Sequence, residues 1–167
     1  MSFYLIVREM KKLLHSLDGC LDKATAHAAA KKYDAEVLLQ SRLAPDMLPL
    51  VFQIQTACDS AKYAASRVTG KDAPSHPDTE KTIADVRKRI ASTTDYLDTY
   101  KAADFDGIEG RTVSLPRWEG KSMAAADYLI EQAMPTFFFH VTTSYAILRH
   151  NGVDIGKRDY LGPINYR

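Results

Sequence analysis

Residues 135–152, PTFFFHVTTSYAILRHNG, carry the pattern that decides the fold class of this chain. At about 100° per residue, one face of a helix collects Phe137, His140, Val141, Ser144 and Leu148. The pair Asn151-Gly152 is a good C-terminal stop. Pro135 must kink or restart a helix that begins near Met123, because an interior proline removes a hydrogen bond and clashes with the preceding turn. The stretch therefore predicts an apolar last helix over about 123–150, with His140 turned towards the interior.

Upstream of this helix, three more segments repeat apolar residues at three- and four-residue steps, over about 3–32, 46–69 and 78–100. A short turn over 35–40, capped by Asp34, follows the first. The second segment carries a further strip beside its main apolar face, made of Leu48, Phe52, Gln55, Asp59 and Tyr63. A helix with two such sides is usually wedged between neighbours or used in an oligomer interface. Four amphipathic helices without a linker predict an all-α four-helix bundle, a single domain over 1–167.

The connection between the third and fourth helices, residues 101–122, lacks a helical pattern. Glycines and a proline punctuate it, while Arg111–Leu115 alternates like a short strand. Irregular connections of this length are uncommon in compact domains and are often functional or act as lids. The alternative is a long crossover that returns the chain to the last helix. The tail, 153–167, holds enough apolar side chains to pack back on the bundle.

Composition restricts the classes of partner. The chain has 167 residues, 46% apolar and 26% charged, and a net charge of +1. This balance argues against a nucleic-acid partner, which would require clustered Lys and Arg in excess. We also expect no membrane partner, because no apolar run is long enough to cross a bilayer and no signal peptide is recognisable. Cys20 and Cys58 fall on apolar faces, which predicts buried free thiols and a cytoplasmic location.

His140 is the best-placed candidate site residue, with Thr136 and Ser144 one helical turn away on either side. Neutral histidine is a common metal ligand, and bundle interiors are where metal and small-ligand sites are built. The alternative is a core histidine whose hydrogen bonds are satisfied. Gln55 and Asp59, one turn apart on the second helix, either line the same pocket or lie at a solvent edge.

Other catalytic patterns are missing. The sequence has no His-x-x-x-His or Glu-x-x-His pair, and neither cysteine has a partner at metal-ligand spacing. It also has no Gly-rich phosphate loop after a strand and no nucleophile elbow. No enzyme class follows from the sequence.

Three runs resemble a bacterial family of unknown function within the DinB-like superfamily of damage-inducible and thiol-transferase bundles. They are KATAHAAAKKYDAEVLLQSRLAPDMLPLVFQIQTACDSAKYAASRVTG (23–70), FDGIEGR (105–111) and ADYLIEQAMPTFFFHVTTSYAILRHNGVDIGKRDYLG (126–162). The resemblance implies a four-helix bundle that is commonly a dimer. It also implies, for many members, a divalent metal bound by three histidines, one on helix two and an i, i+4 pair on the last helix.

Carried over residue by residue, this metal site is incomplete. His140 resembles the second histidine of the last-helix pair, but the first position is Thr136, and the helix-two counterpart is Gln55 or its neighbour Thr56. The resemblance therefore implies a remnant of a metal site and no confident cofactor. A remodelled site that joins His27 to His140 is the open alternative for a divalent metal.

Three hypotheses about function follow. The leading one is a cytoplasmic homodimer that binds a small molecule in a pocket near His140 or runs an unidentified stress-related reaction. The second is a non-catalytic structural or interaction module, dimerised through the run Phe137–Phe139 and the additional strip of helix two. The third is a metal-dependent hydrolase or thiol transferase with a remodelled site.

Overall fold

Four long helices pack around one apolar core in the computed structural model, which describes residues 2–166. They are α1 (Phe3–Lys31), α2 (Leu50–Thr69), α3 (Ile83–Asp98) and α5 (Met134–His150). Helix α2 packs between α5 and α3, and α1 closes the bundle against α3 and α5. The predicted all-α bundle is confirmed. No helix within residues 2–166 is both long and apolar enough to span a membrane.

The short turn after α1 forms as predicted, as a 3₁₀ helix over Ala35–Gln40 in which the Asp34 carboxylate accepts from the amide of Glu36. Helix α2 begins four residues later than expected, because the chain first turns at 44–47 and the amide of Leu50 donates to the carbonyl of Ser41. It ends at Gly70, whose φ of 77° is the left-handed conformation that glycine adopts without steric cost.

Helix α3 also begins later than expected. Its N-cap is Thr82, whose hydroxyl accepts from the amide of Asp85, while the Asp85 carboxylate accepts from the amide of Thr82. The residues that connect α2 to α3, 71–82, are not helical. We call this segment the strap. Asp78 and Glu80 in it bind Arg89 of α3, a tertiary contact that the helical pattern of the sequence did not predict.

The connection between α3 and the last helix is ordered around a two-stranded antiparallel sheet, β1 (Thr112–Ser114) and β2 (Ser122–Ala124). The predicted strand at 111–115 is thus present, two residues shorter. Arg111 donates to the carbonyls of Val68 and Thr69 at the C-terminus of α2, where a cation satisfies the last carbonyls of a helix. The connection is therefore fixed against one end of the bundle.

The last helical region is a short α4 (Ala125–Asp127), a π-helix over Tyr128–Ala133 and then α5. Pro135 is the second residue of α5, so the predicted break takes the form of a π-helix that ends just before the proline. After α5 the tail forms α6 (Lys157–Leu161), which packs on α1 and is held there by an ion pair of 2.7 Å between Asp159 and Lys23. The predicted packing of the tail on the bundle is confirmed.

Candidate functional site

His140 is half-buried and contacts α2 through its ring nitrogen Nδ1, which lies 2.8 Å from Gln53 Oε1. The amide nitrogen of Gln53 donates to the carbonyl of Leu48 at 2.9 Å, so its Oε1 is the acceptor and His140 Nδ1 carries the proton. Burial lowers the pKa of His140 below its ordinary value. The imidazole is therefore neutral at pH 7 and its Nε2 is unprotonated.

Ser144 does not join His140 in a pocket, because its hydroxyl donates to the backbone carbonyl of His140 at 2.8 Å and the residue is fully buried. The rings near the imidazole are those of Phe52 and Phe139, with centroids 6.4 and 5.1 Å away. His140 thus makes one side-chain hydrogen bond and is otherwise surrounded mainly by aromatic rings.

The residues around His140 do not fit a three-histidine metal site. Its partner on helix two is Gln53, not the Gln55 or Thr56 that the sequence indicated, and both ends of the Gln53 amide are already hydrogen bonded. Nowhere in the described chain do three His, Cys, Asp or Glu side chains converge as metal ligands. His27 packs instead against Tyr33, at a ring distance of 6.1 Å, and against Gly152 beyond the end of α5. That position is roughly 15 Å along the helix from His140, so the structure does not bring the two histidines together.

The pocket next to this region lies one turn towards the N-terminus of α5, between α2, the π-helix and the turn that joins the two strands. Its volume is about 230 Å³. It is lined by Thr56, Asp59, Ser60, Tyr63, Arg67, Arg117, Tyr128, Gln132, Ala133 and Thr136. Of the six candidates named from the sequence, it contains Asp59 and Thr136. We call it the α2–π pocket.

Arg67 is held in this pocket by aromatic side chains. Its guanidinium lies 4.4 Å from the centre of the Tyr63 ring, and one of its nitrogens donates to the Tyr128 hydroxyl at 2.8 Å. Tyr128 is the first residue of the π-helix and is only 2% exposed. The π-helix therefore fixes the phenol that orients Arg67.

Behind the pocket, α2, α3 and the strap enclose a cluster of charged side chains that the sequence analysis missed. The side chains of Arg89 and Lys62 are each 1% exposed. Arg89 contacts three carboxylates, those of Asp59 at 2.7 Å, Asp78 at 2.8 Å and Glu80 at 3.0 Å. Burial opposes the charge on Arg89, but the hydrogen bond to Glu80 and the charges of Asp59 and Glu80 raise its pKa. Arg89 is therefore permanently protonated.

Gln55 belongs to this charged cluster, since its amide donates to Glu80 at 2.8 Å and the residue is 8% exposed. It lies neither in a pocket with His140 nor at a solvent edge, the two alternatives that the sequence left open. Asp59 also pairs with Lys62 at 2.8 Å. One feature of the sequence could have indicated this buried cluster. Both of its cations stand next to apolar residues, Lys62 between Ala61 and Ala65 and Arg89 before Ile90.

His76 of the strap closes the cluster. Lys62 Nζ donates to His76 Nδ1 at 3.1 Å, so the proton of the neutral ring is on Nε2, which donates to Ser92 at 2.9 Å. Burial, followed by the charges of Lys62 and Arg89, lowers the pKa of His76. A histidine that donates to the serine cannot take its proton, so this Ser-His contact is not a nucleophile and its general base.

Both cysteines are buried and free, as predicted. Burial raises the pKa of Cys20 to about 11 and that of Cys58 to about 12. The thiolate is the reactive form of cysteine, so neither residue is placed as a nucleophile.

Comparison with known proteins places this geometry in a family. The family model described as a domain of unknown function, DUF1993, matches residues 3–161. A crystal structure of a DinB family member protein from Shewanella denitrificans is 47% identical, with a TM-score of 0.95, over 98% of this chain and 94% of that one. No curated protein gives a significant match. The chain therefore belongs to the DUF1993 family, a domain of unknown function with a DinB-like all-α bundle.

Proposed function

We propose that this protein binds a small polar molecule in the α2–π pocket. The observation that carries the proposal is the lining, which combines two arginines with the hydroxyl groups of threonine, serine and tyrosine on both sides of one concave site. Such convergence of a few polar groups in a cleft is the usual character of a ligand site. Thr136, one turn before His140, joins this pocket to the region that the sequence singled out.

The π-helix supports the same proposal. It widens the backbone between Tyr128 and Ala133 and contributes three pocket residues, Tyr128, Gln132 and Ala133. A π-helix is less favourable than an α-helix and is found frequently at functional sites. Here it sets the position of Tyr128 and, through the hydrogen bond to its hydroxyl, that of Arg67.

The volume limits the ligand. Drug-sized ligands occupy sites of roughly 300–1,000 Å³, and the α2–π pocket has about 230 Å³. A molecule the size of a small metabolite fits this space.

The proposal can be tested with a ligand-observed NMR screen of small polar fragments against the full chain. Thr56→Phe places a ring in the pocket and should abolish binding of the fragments that the wild type retains. Thr25→Phe, which adds the same ring at an exposed position of α1, is the matched control and should bind like the wild type. Fragments that bind all three proteins equally would contradict the proposal.

The second candidate function is a dimeric interaction module, and an exposed apolar surface favours it. Leu48 is 47% exposed and Phe139 57%. Phe139 and the partly exposed Phe52 both pack on the ring of His140. Phe137, in contrast, is fully buried in the core, so only part of the Phe137–Phe139 run is available for contact with a second copy. We propose that two copies of the chain associate through this surface. Such a dimer is compatible with ligand binding in the pocket.

A further inference from the structure

We infer that the ligand of the α2–π pocket carries an oxyanion, a carboxylate or phosphate group, which binds between Arg67 and Arg117. This inference rests on the proposed function and names the chemical class of the ligand. Both arginines line the pocket, one from the last turns of α2 and the other from the turn between β1 and β2. Planar guanidinium groups recognise these oxyanions in bidentate fashion.

The charge of the two arginines is not neutralised by a carboxylate. The salt bridges formed within residues 2–166 involve neither Arg67 nor Arg117. Arg67 contacts the ring of Tyr63 and donates to the hydroxyl of Tyr128. A half-buried arginine next to tyrosine rings, without a counter-ion, leaves a site for an external anion.

The acidic residue of the lining does not cancel this charge. Asp59 is already paired with two buried cations, Lys62 at 2.8 Å and Arg89 at 2.7 Å. Because Arg89 also binds Asp78 and Glu80, the cluster behind the pocket holds two buried cations and three carboxylates. The positive charges of Arg67 and Arg117 exceed the formal charge of −1 on this cluster, so the pocket and the cluster together carry a formal charge of +1.

Arg67 is also held in position before any ligand arrives. It stacks on Tyr63 and donates one hydrogen bond to Tyr128, which leaves the remaining donors of a five-donor group available. Arg117 belongs to the turn Pro116–Trp118, and the Trp118 ring packs at 6.2 Å from the ring of Tyr128. Tyr128 thus orients Arg67 directly and packs against the neighbour of Arg117, which is itself exposed. Preorganisation of Arg67 lowers the entropic cost of binding.

A second basic groove, between α1 and α3, differs in that two of its three Lys and Arg side chains are paired with carboxylates. It contains Arg8, Lys11 and Lys12, but Lys11 pairs with Asp98 and Lys12 with Glu9 at 2.6 Å. Its cations are largely neutralised by neighbours on the same surface. In the α2–π pocket, by contrast, neither arginine is paired with a carboxylate within residues 2–166.

The inference is tested by titrating the full chain with inorganic phosphate and with succinate, followed by amide chemical shifts in ¹H-¹⁵N NMR spectra, with erythritol as the neutral probe. We expect both anions to shift the resonances of the pocket residues. Arg67→Gln and Arg117→Gln should each weaken anion binding about tenfold or more, the equivalent of about 1.4 kcal/mol. Arg67→Lys retains the charge but not the planar fork and should bind with intermediate affinity. Arg158→Gln, at an exposed arginine of α6, is the control and should bind like the wild type.

Two results would overturn the inference. One is that neither anion shifts the pocket resonances; the other is that both anions bind Arg67→Gln and Arg117→Gln as well as the wild type. Binding of erythritol or of the screened fragments in the pocket under either result would leave the proposed function standing and remove only the anionic class. If no fragment binds in the pocket either, the proposed function fails as well.

Discussion

The hydrogen bond between His140 and Gln53 is a polar link between α5 and α2, which pack against each other. Gln53 is 3% exposed, so its amide oxygen has no ready access to solvent. A buried acceptor that loses its donor keeps the cost of desolvation without the compensating bond. His140 is thus expected to contribute to stability whether or not it touches a ligand.

Replacing His140 with Leu should lower the free energy of unfolding by about 1–3 kcal/mol, the cost of an unsatisfied buried polar group. Replacing Gln53 with Leu as well removes the orphaned acceptor, so the double variant should be more stable than the sum of the single effects predicts. Urea unfolding of the four proteins measures this coupling. A His140→Leu variant as stable as the wild type would contradict it.

Arg89 and Arg87 provide a matched pair on one helix. The side chain of Arg89 is 1% exposed and that of Arg87, which pairs with Asp18 and Asp22, is 38% exposed. Arg89→Met removes the buried cation that binds Glu80, a carboxylate only 10% exposed, and should cost about 3–5 kcal/mol. Arg87→Met should cost less than about 1 kcal/mol. Unfolding in guanidinium chloride measures the stability cost of each variant. Equal effects would mean that the buried cluster does not hold α2, α3 and the strap together.

At the scale of elements, the strap is the segment that charged and polar side chains attach to the bundle. It has little secondary structure of its own and is attached through Asp78 and Glu80 to Arg89 and through His76 to Lys62 and Ser92. The groups that face His76 are the cations Lys62 and Arg89 and the carboxylates Asp59 and Glu80. Because Lys62 donates to the ring, protonation of His76 breaks that bond and places two cations in contact.

The strap should therefore loosen as the pH falls. Burial and the two cations lower the pKa of His76 in the folded state below the ordinary 6.5. The unfolded chain then takes up the proton first, so the stability from His76 is present above pH 6.5 and is lost as the pH falls through the folded pKa. Burial also lowers the pKa of His140, so its contribution to stability is likewise lost as the pH falls. Unfolding free energies between about pH 7.5 and about pH 5.5 should decrease more for the wild type than for His76→Gln. If the unfolding free energies of the wild type and of His76→Gln decreased equally with pH, His76 would not be responsible for the loss of stability.

The elements differ in how much of them the sequence could predict. Periodicity located all four long helices and Pro135 indicated a break, because both depend on local spacing and backbone chemistry. The start of α3 was wrong by five residues, since the strap is held by Arg89 from the side, a tertiary interaction without a local signal. For the same reason, helical spacing did not distinguish Gln53 from Gln55 as the neighbour of His140. The α2–π pocket could not be predicted either, because the π-helix that forms one of its walls has no signal in the helical periodicity.

For the whole molecule, the family resemblance and the bundle are established, whereas the homodimer, the cytoplasmic location and the lack of a nucleic-acid partner stay predictions. We expect light scattering at micromolar concentration to give twice the chain mass of 18.7 kDa. Phe139→Asp, in the proposed contact surface, should give the monomer mass. Leu5→Asp, at a residue equally exposed at 57%, should leave the dimer intact. A monomeric wild type would contradict the prediction.

The central claim is that the α2–π pocket, rather than a metal centre at His140, is the working site of this protein. The most direct measurement is a crystal structure of the full chain soaked with the fragment that binds most tightly in the NMR screen. Our account predicts fragment density within hydrogen-bond distance of Arg67 and the hydroxyl groups of the pocket, with the bond between His140 and Gln53 unchanged. Density at another surface, or a metal ion bound by His140 Nε2 with the pocket unliganded, would contradict it.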